Sequence, residues 1–270
     1  MLGKRVLTVL WIVPLLVVAA WFSGPEYAFP WFTVLIAVWG ILAAWEFYRM
    51  VGVSRSRPLA AFGLVWVLLL IIVPHCSYGY AAPILLAAGV ALPLVPAVFF
   101  ARREGFCRDR AWTLGGMLYV GWLMGVLVTL RLEAGREWLF LAVLATWGSD
   151  TLAYLVGRAF GRHRMAPRIS PGKTWEGAVG GLAGAVIVAL LLTLDTPLQI
   201  PVGYGQAVLL GALISVFGQL GDLAESLLKR SAGVKESGNL MPGHGGVLDR
   251  MDSVVFAGAV VYLYYIFVIA

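Results

Sequence analysis

Charge is what this sequence has least of. Asp, Glu, Lys and Arg make up 13% of its 270 residues, against about 25% in an ordinary soluble domain. With 61% hydrophobic residues, a water-soluble core would have to bury nearly every helix on all sides, so that class is set aside. Cysteine is scarce too. Cys76 and Cys107 would fall on opposite sides of the membrane, which suggests neither a disulfide nor a thiolate metal site. Alternating strands are missing, which argues against a β-barrel. There is no linker, low-complexity tract or internal repeat, so one membrane domain over residues 1–270 is expected, with N-terminal helices in 1–135 and a catalytic half in 136–270.

What is present is a succession of apolar runs. A spanning helix needs roughly 20 apolar residues. Candidates lie near 6–23, 29–48, 58–74, 79–100, 111–130, 137–156, 177–195, 205–228 and 253–270. The third is short and the fourth contains Pro93 and Pro96, so eight or ten spans are the neighbouring alternatives. The first run, GKRVLTVLWIVPLLVVAAWF, has the basic start of a signal peptide. It is long, lacks a small-x-small cleavage site and precedes further spans, so it reads as a retained helix. The fold class expected is an all-α polytopic membrane protein of about nine transmembrane helices, N-terminus cytoplasmic and C-terminus on the opposite side. Lys and Arg favour cytoplasmic loops, and with nine spans 18 of the 20 fall on one side, leaving only Arg131 and Arg136 on the other. The net charge of +6 is thereby a topological signal and calls for no nucleic-acid partner.

Acidic residues within membrane spans are costly and mark function. Four stand out: Glu46, Asp150, Asp222 and Glu225. In VFGQLGDLAESLLKR, the residues Gln219, Asp222, Ser226 and Lys229 form one helical stripe, with Glu225 beside it. Asp222 lies two turns before Lys229, about 10 Å below the cytoplasmic surface. It either serves a site there or pairs with an Arg of a neighbouring helix to lock the bundle. Thr146, Asp150 and Tyr154 share a face at the same depth of the sixth span, and Glu46 either joins them or pairs with Arg49 three residues on.

Two cytoplasmic loops, about 157–176 and 229–252, are longer and richer than the others. The first contains Ser170-Pro171-Gly172-Lys173-Thr174. A Walker loop would need a glycine at Pro167, so that motif fails. A Gly-Lys-Thr turn entering a helix still offers amides, a cation and a hydroxyl to an anion, with Thr174 as N-cap and Glu176 in the first turn. The second loop sets Lys229, Arg230, Lys235 and Arg250 against Glu236, Asp249 and Asp252, among six glycines or prolines between 233 and 246. Carboxylates without cysteine favour Mg²⁺ over zinc, for which His244 alone is thin support. Cations, glycine turns and clustered carboxylates describe a site for polyphosphate with a divalent metal, held at a membrane face where a nucleotide can meet a lipid.

The stretch SLLKRSAGVKESGNLMPGHGGVLDRMD, Ser226 to Asp252, resembles the signature of the phosphatidate cytidylyltransferase (CDP-diacylglycerol synthase) family. GSDTLAYLVGRAFGRHRMAPRISPGKTWEG and GQLGDLAES are similar to that family as well; the first half of the chain resembles it only in hydropathy and short basic loops. Lys235-Glu236 stands where the family has Lys-Asp, one methylene longer. The resemblance implies transfer of the cytidylyl group of CTP to phosphatidate in phospholipid biosynthesis, Mg²⁺ dependence (with room for a second cation), a homodimer in contact with membrane lipids, and a bacterial inner membrane with the site facing the cytoplasm. It assigns metal to Asp222 and Asp249, and catalysis to these with Lys229, Arg230, Lys235, His244, Arg250 and Asp252. CTP and lipid phosphates would meet Ser170, Lys173 and Thr174 along with Lys229, Arg230, Lys235 and Arg250; Asp150, Glu176, Glu225 and Ser226 are supporting positions. Two other readings stand beside this one. An ion-coupled transporter would use Asp150, Asp222 and Glu225 within the membrane, and a CTP-dependent transferase could act on a different lipid acceptor.

Overall fold

The computed structural model describes residues 2–24, 27–76, 79–100, 106–241 and 245–270. His244 lies outside the described residues. Among the described residues a helix covers each apolar run. These are α1 (Leu2–Trp21), α2 (Trp31–Met50), α3 (Arg57–Ile72), α4 (Ala81–Phe100), α5 (Phe106–Gly116), α6 (Leu123–Thr129), α7 (Arg136–Phe160), α8 (Trp175–Leu191), α9 (Tyr204–Ser231) and α10 (Leu248–Tyr264). Wide π turns at 117–122 and 130–134 continue α5 and α6 into one rod, Cys107–Ala134. Six helices are long and apolar enough to cross a membrane, and Leu10–Trp21, Ala81–Val95 and Trp175–Leu191 are shorter apolar helices. The protein is an α-helical integral membrane protein.

One small sheet interrupts the helices. β1 (Arg164–Ala166) pairs antiparallel with β2 (Ser170–Thr174), Arg164 opposite Thr174 and Ala166 opposite Ser170. The Gly-Lys-Thr segment is thus extended strand running directly into α8, rather than a turn. Thr174 is the N-cap, its hydroxyl oxygen accepting from the Gly177 amide at 3.1 Å.

By contact the chain forms two compact units, residues 1–129 with 236–249, and residues 130–235 with 250–270. In the first, α2 is apolar all round, so small residues decide where helices approach. Gly63 and Gly116 lie against the buried Tyr48 ring, where a Cβ on either would collide, and the Tyr48 hydroxyl donates to the Thr113 carbonyl at 3.0 Å. Phe47, Ile36, Leu70, Ile71 and Met124 fill the core around it.

In the second unit α7 and α8 pack backbone to backbone. Gly177, Gly180, Gly181 and Gly184 recur at three and four residues on one face of α8. A Cβ at Gly184 would strike the Gly148 carbonyl, and one at Gly177 would come within 2.8 Å of the Ala153 carbonyl. Lipid is as apolar as leucine, so membrane helices associate through such close packing and through hydrogen bonds. Both are here: Ser149 and Ser215 share a hydrogen bond of 2.9 Å, and Gln219 Nε2 donates to Ser215 Oγ at 2.9 Å and to the Ala178 carbonyl at 3.2 Å. These bonds tie α7, α8 and α9 together just beneath the hairpin.

Candidate active site

In the second unit, the hairpin and helices α7, α8 and α9 line an open cavity of about 570 Å³. Its polar lining includes Asp150, Arg158, Arg164, Lys173, Gln219 and Asp222. Lys173, carried by β2, reaches α9 and sets its Nζ 2.7 Å from Asp222 Oδ2. The same Nζ lies 3.5 Å from the Gln219 carbonyl. Asp222 Oδ1 accepts from the Ser226 hydroxyl at 3.3 Å, one turn along the helix. The stripe read from the sequence is therefore real, and its Asp222 is partnered by a lysine of the hairpin rather than by an arginine of another helix.

Asp150 and Asp252 both feel the negative charge of Asp222, and Lys173 and Arg250 offset it at Asp150 while Lys229 does so at Asp252. Three carboxylates and several cations thus share one electrostatic neighbourhood. Glu225 is fully buried, and its Oε1 pairs with Lys229 Nζ at 2.9 Å, one turn on. Arg230 binds backbone instead, donating to the Ile169 carbonyl at 3.2 Å and the Val234 carbonyl at 3.4 Å, which fastens the end of α9 to the hairpin loop. Glu176 accepts from the His163 amide at 3.2 Å and meets the His163 ring at 2.6 Å, closing the base of the hairpin. Lys235 is exposed.

Arg158 and Arg164 also line the cavity. Arg158 donates to the Tyr154 hydroxyl at 2.9 Å, and Arg164 to the Pro171 carbonyl. Sequence reasoning counted both only as positive-inside charge; two arginines one loop away from a Gly-Lys-Thr segment were the available signal.

In the first unit, Ser237, Gly238, Gly246 and Leu248 close on α2. Asp249 Oδ2 accepts from the Gly246 amide at 2.8 Å and from the Ser237 amide and hydroxyl, each at 3.0 Å. Glu46 Oε2 accepts from the Leu248 amide at 3.1 Å and lies 3.1 Å from the Ser237 hydroxyl, whose single proton it shares with Asp249 Oδ2. Of the two readings the sequence left open for Glu46, pairing with Arg49 is not the one seen: its bonds go to Ser237 and Leu248.

Among the described residues no group of three or more His, Cys, Asp or Glu is spaced to hold a metal. The donors present are carboxylate oxygens. They fit Mg²⁺, which takes one or two protein carboxylates and completes its shell with water and phosphate oxygens.

The family model described as the cytidylyltransferase family matches residues 3–268. The chain belongs to the cytidylyltransferase family. Members similar to it include phosphatidate cytidylyltransferases of Brucella abortus, 39% identical over 224 residues (81% of this chain and 79% of that one), and of Bacillus subtilis, 34% identical over 237 residues (86% and 87%). That of Pseudomonas aeruginosa is 36% identical over 282 residues, covering 95% of this chain and 94% of its own.

Proposed function

We propose that this protein transfers the cytidylyl group of CTP to phosphatidate, giving CDP-diacylglycerol and pyrophosphate. The observation that carries the reading is the Lys173–Asp222 pair in the lining of a polar cavity, 2.7 Å apart, in a chain matched to the family over residues 3–268.

A phosphate oxygen of phosphatidate attacks the α-phosphorus of CTP; the bond from that phosphorus to the bridging oxygen breaks, and pyrophosphate leaves with the electron pair. A phosphate monoester has its second pKa near 6, so the nucleophile is largely ionised at neutral pH and no strong general base is needed. The obstacle is bringing two anions together. Lys173, Arg158 and Arg164 neutralise phosphate in the cavity, and Thr174 holds the helix entrance rigid beside them. Lys229, Arg230, Lys235 and Arg250 supply the remaining positive charge of the signature. Such fixed charges stabilise the leaving pyrophosphate without reorganising. Asp222 and Asp249 are the carboxylates we assign to Mg²⁺, supported by Asp252 and Asp150. Bound there, Mg²⁺ would screen the phosphates and polarise the reacting group.

The proposed setting is a bacterial inner membrane crossed nine times, N-terminus and active site on the cytoplasmic side, with the protein as a homodimer. The test is a panel of lipid acceptors with labelled CTP and purified protein. Pyrophosphate release that requires both phosphatidate and Mg²⁺ is the expected result. Turnover of a polyprenol but not of phosphatidate, or none with any acceptor, overturns it.

A further inference from the structure

Glu46 lies in α2, in the part of the chain where the sequence shows no catalytic motif. Its side chain is nonetheless 97% removed from solvent, with 3% exposure. A buried carboxylate is costly unless it is hydrogen-bonded. Both of its bonds go to one segment: the Ser237 hydroxyl, 191 residues away, and the Leu248 amide, 202 residues away. The fit is close. A Cβ on Gly238 or on Gly246 would run into the Glu46 carboxyl group, so a side chain at either place would displace that carboxyl from its present position. Ser237 then passes the constraint on: its amide donates to Asp249 Oδ2 at 3.0 Å, and its hydroxyl, with a single proton, lies between Glu46 Oε2 at 3.1 Å and Asp249 Oδ2 at 3.0 Å. Gly246, pressed against Glu46, gives that same oxygen a third donor.

We propose that Glu46 is a positioning residue for the transfer reaction: from α2 it fixes Ser237 and Leu248, and through Ser237 and Gly246 it sets the orientation of the Asp249 carboxylate. The inference rests on the reading above for Asp249's part in the chemistry. Its action requires hydrogen-bond acceptance at Oε2, not negative charge. Glutamine has the same shape and keeps an oxygen in that place. Aspartate is one methylene short of reaching both donors, and alanine reaches neither.

The test compares Glu46→Gln, Glu46→Asp and Glu46→Ala in the full-length protein. Glu46→Ala is expected to lower kcat about tenfold or more, since small displacements of a reacting constellation cost on that order. KM for phosphatidate stays within about twofold, the pattern of an interaction used only in the transition state. Glu46→Gln stays within about threefold of wild type by the same reasoning, and Glu46→Asp falls between. Hydrogen–deuterium exchange gives a readout independent of turnover. Peptides covering 237–248 should exchange faster in Glu46→Ala but not in Glu46→Gln, while peptides of α9 stay unchanged. Ser237→Ala, a milder change, should also speed that exchange, and its effect should not add to that of Glu46→Ala.

A Glu46→Gln protein as impaired as Glu46→Ala overturns the proposal, because charge would then be what counts. So does unaltered exchange over 237–248 in both Glu46→Ala and Ser237→Ala. Wild-type protein that converts no phosphatidate overturns the reaction assigned above, whereas the exchange comparison still decides the positioning.

Discussion

Lys173 and Asp222 come from different elements and meet at 2.7 Å with about a quarter to a third of each side chain exposed. Removing one partner leaves the other charge in a cavity shaped for the pair. Lys173→Ala and Asp222→Ala are each expected to lower CTP-dependent product formation about 10²- to 10³-fold, the usual cost of losing one electrostatic contact to a transition state. The double variant should be no worse than the poorer single, since groups acting as a unit are not additive; full additivity would mean that they act separately. At this scale much was legible. The spacing of Gln219, Asp222, Ser226 and Lys229 placed them on one stripe, and Thr174 was readable as a cap. Glu46 was not, because its partners lie 191 and 202 residues away and an Arg49 three residues on offered a nearer explanation. Arg158 and Arg164 were hidden differently: a cation that serves a site and a cation that sets topology look identical in one sequence.

Helices α7 and α8 are held by the absence of side chains. At Gly184 there is no room for even a methyl group against the Gly148 carbonyl. Gly184→Val is expected to destabilise the protein by about 1–3 kcal/mol, the range for overpacking a tight interface, read as a lower midpoint of thermal unfolding in detergent. Gly172, with open space around its added Cβ, is the control, and Gly172→Ala should leave the midpoint unchanged. Thr174→Ala removes the cap of α8 and should cost about 1 kcal/mol. Helix positions were legible from apolar runs alone. The hairpin was not: strands of three and five residues are too short for an alternating pattern to emerge, and the loop's Gly and Pro residues suggested turns.

The whole molecule can report its own topology, since Cys76 and Cys107 are both exposed. Nine crossings from a cytoplasmic N-terminus put Cys76 outside and Cys107 inside. A membrane-impermeant thiol reagent on intact inner-membrane spheroplasts should label Cys76 in a Cys107→Ser protein at once. It should reach Cys107 in a Cys76→Ser protein only after permeabilisation. Labelling of both from the same side would refute the arrangement. The charge asymmetry made this prediction available from sequence, whereas the partition into contact units was not, because it cuts across chain order.

That partition has a consequence for synthesis. The 236–249 segment belongs with the first 129 residues, yet it is translated only after all of the intervening helices. Closing so long a loop is a small added entropic cost at equilibrium, since the cost grows only with the logarithm of length. In time it is large. While the ribosome makes the next 190 or so residues, α2 waits with the Glu46 carboxylate lacking the two donors that later reach its Oε2. The contacts of the N-terminal helices are therefore completed late, and a chain that stops before residue 237 leaves Glu46 Oε2 without either of these donors.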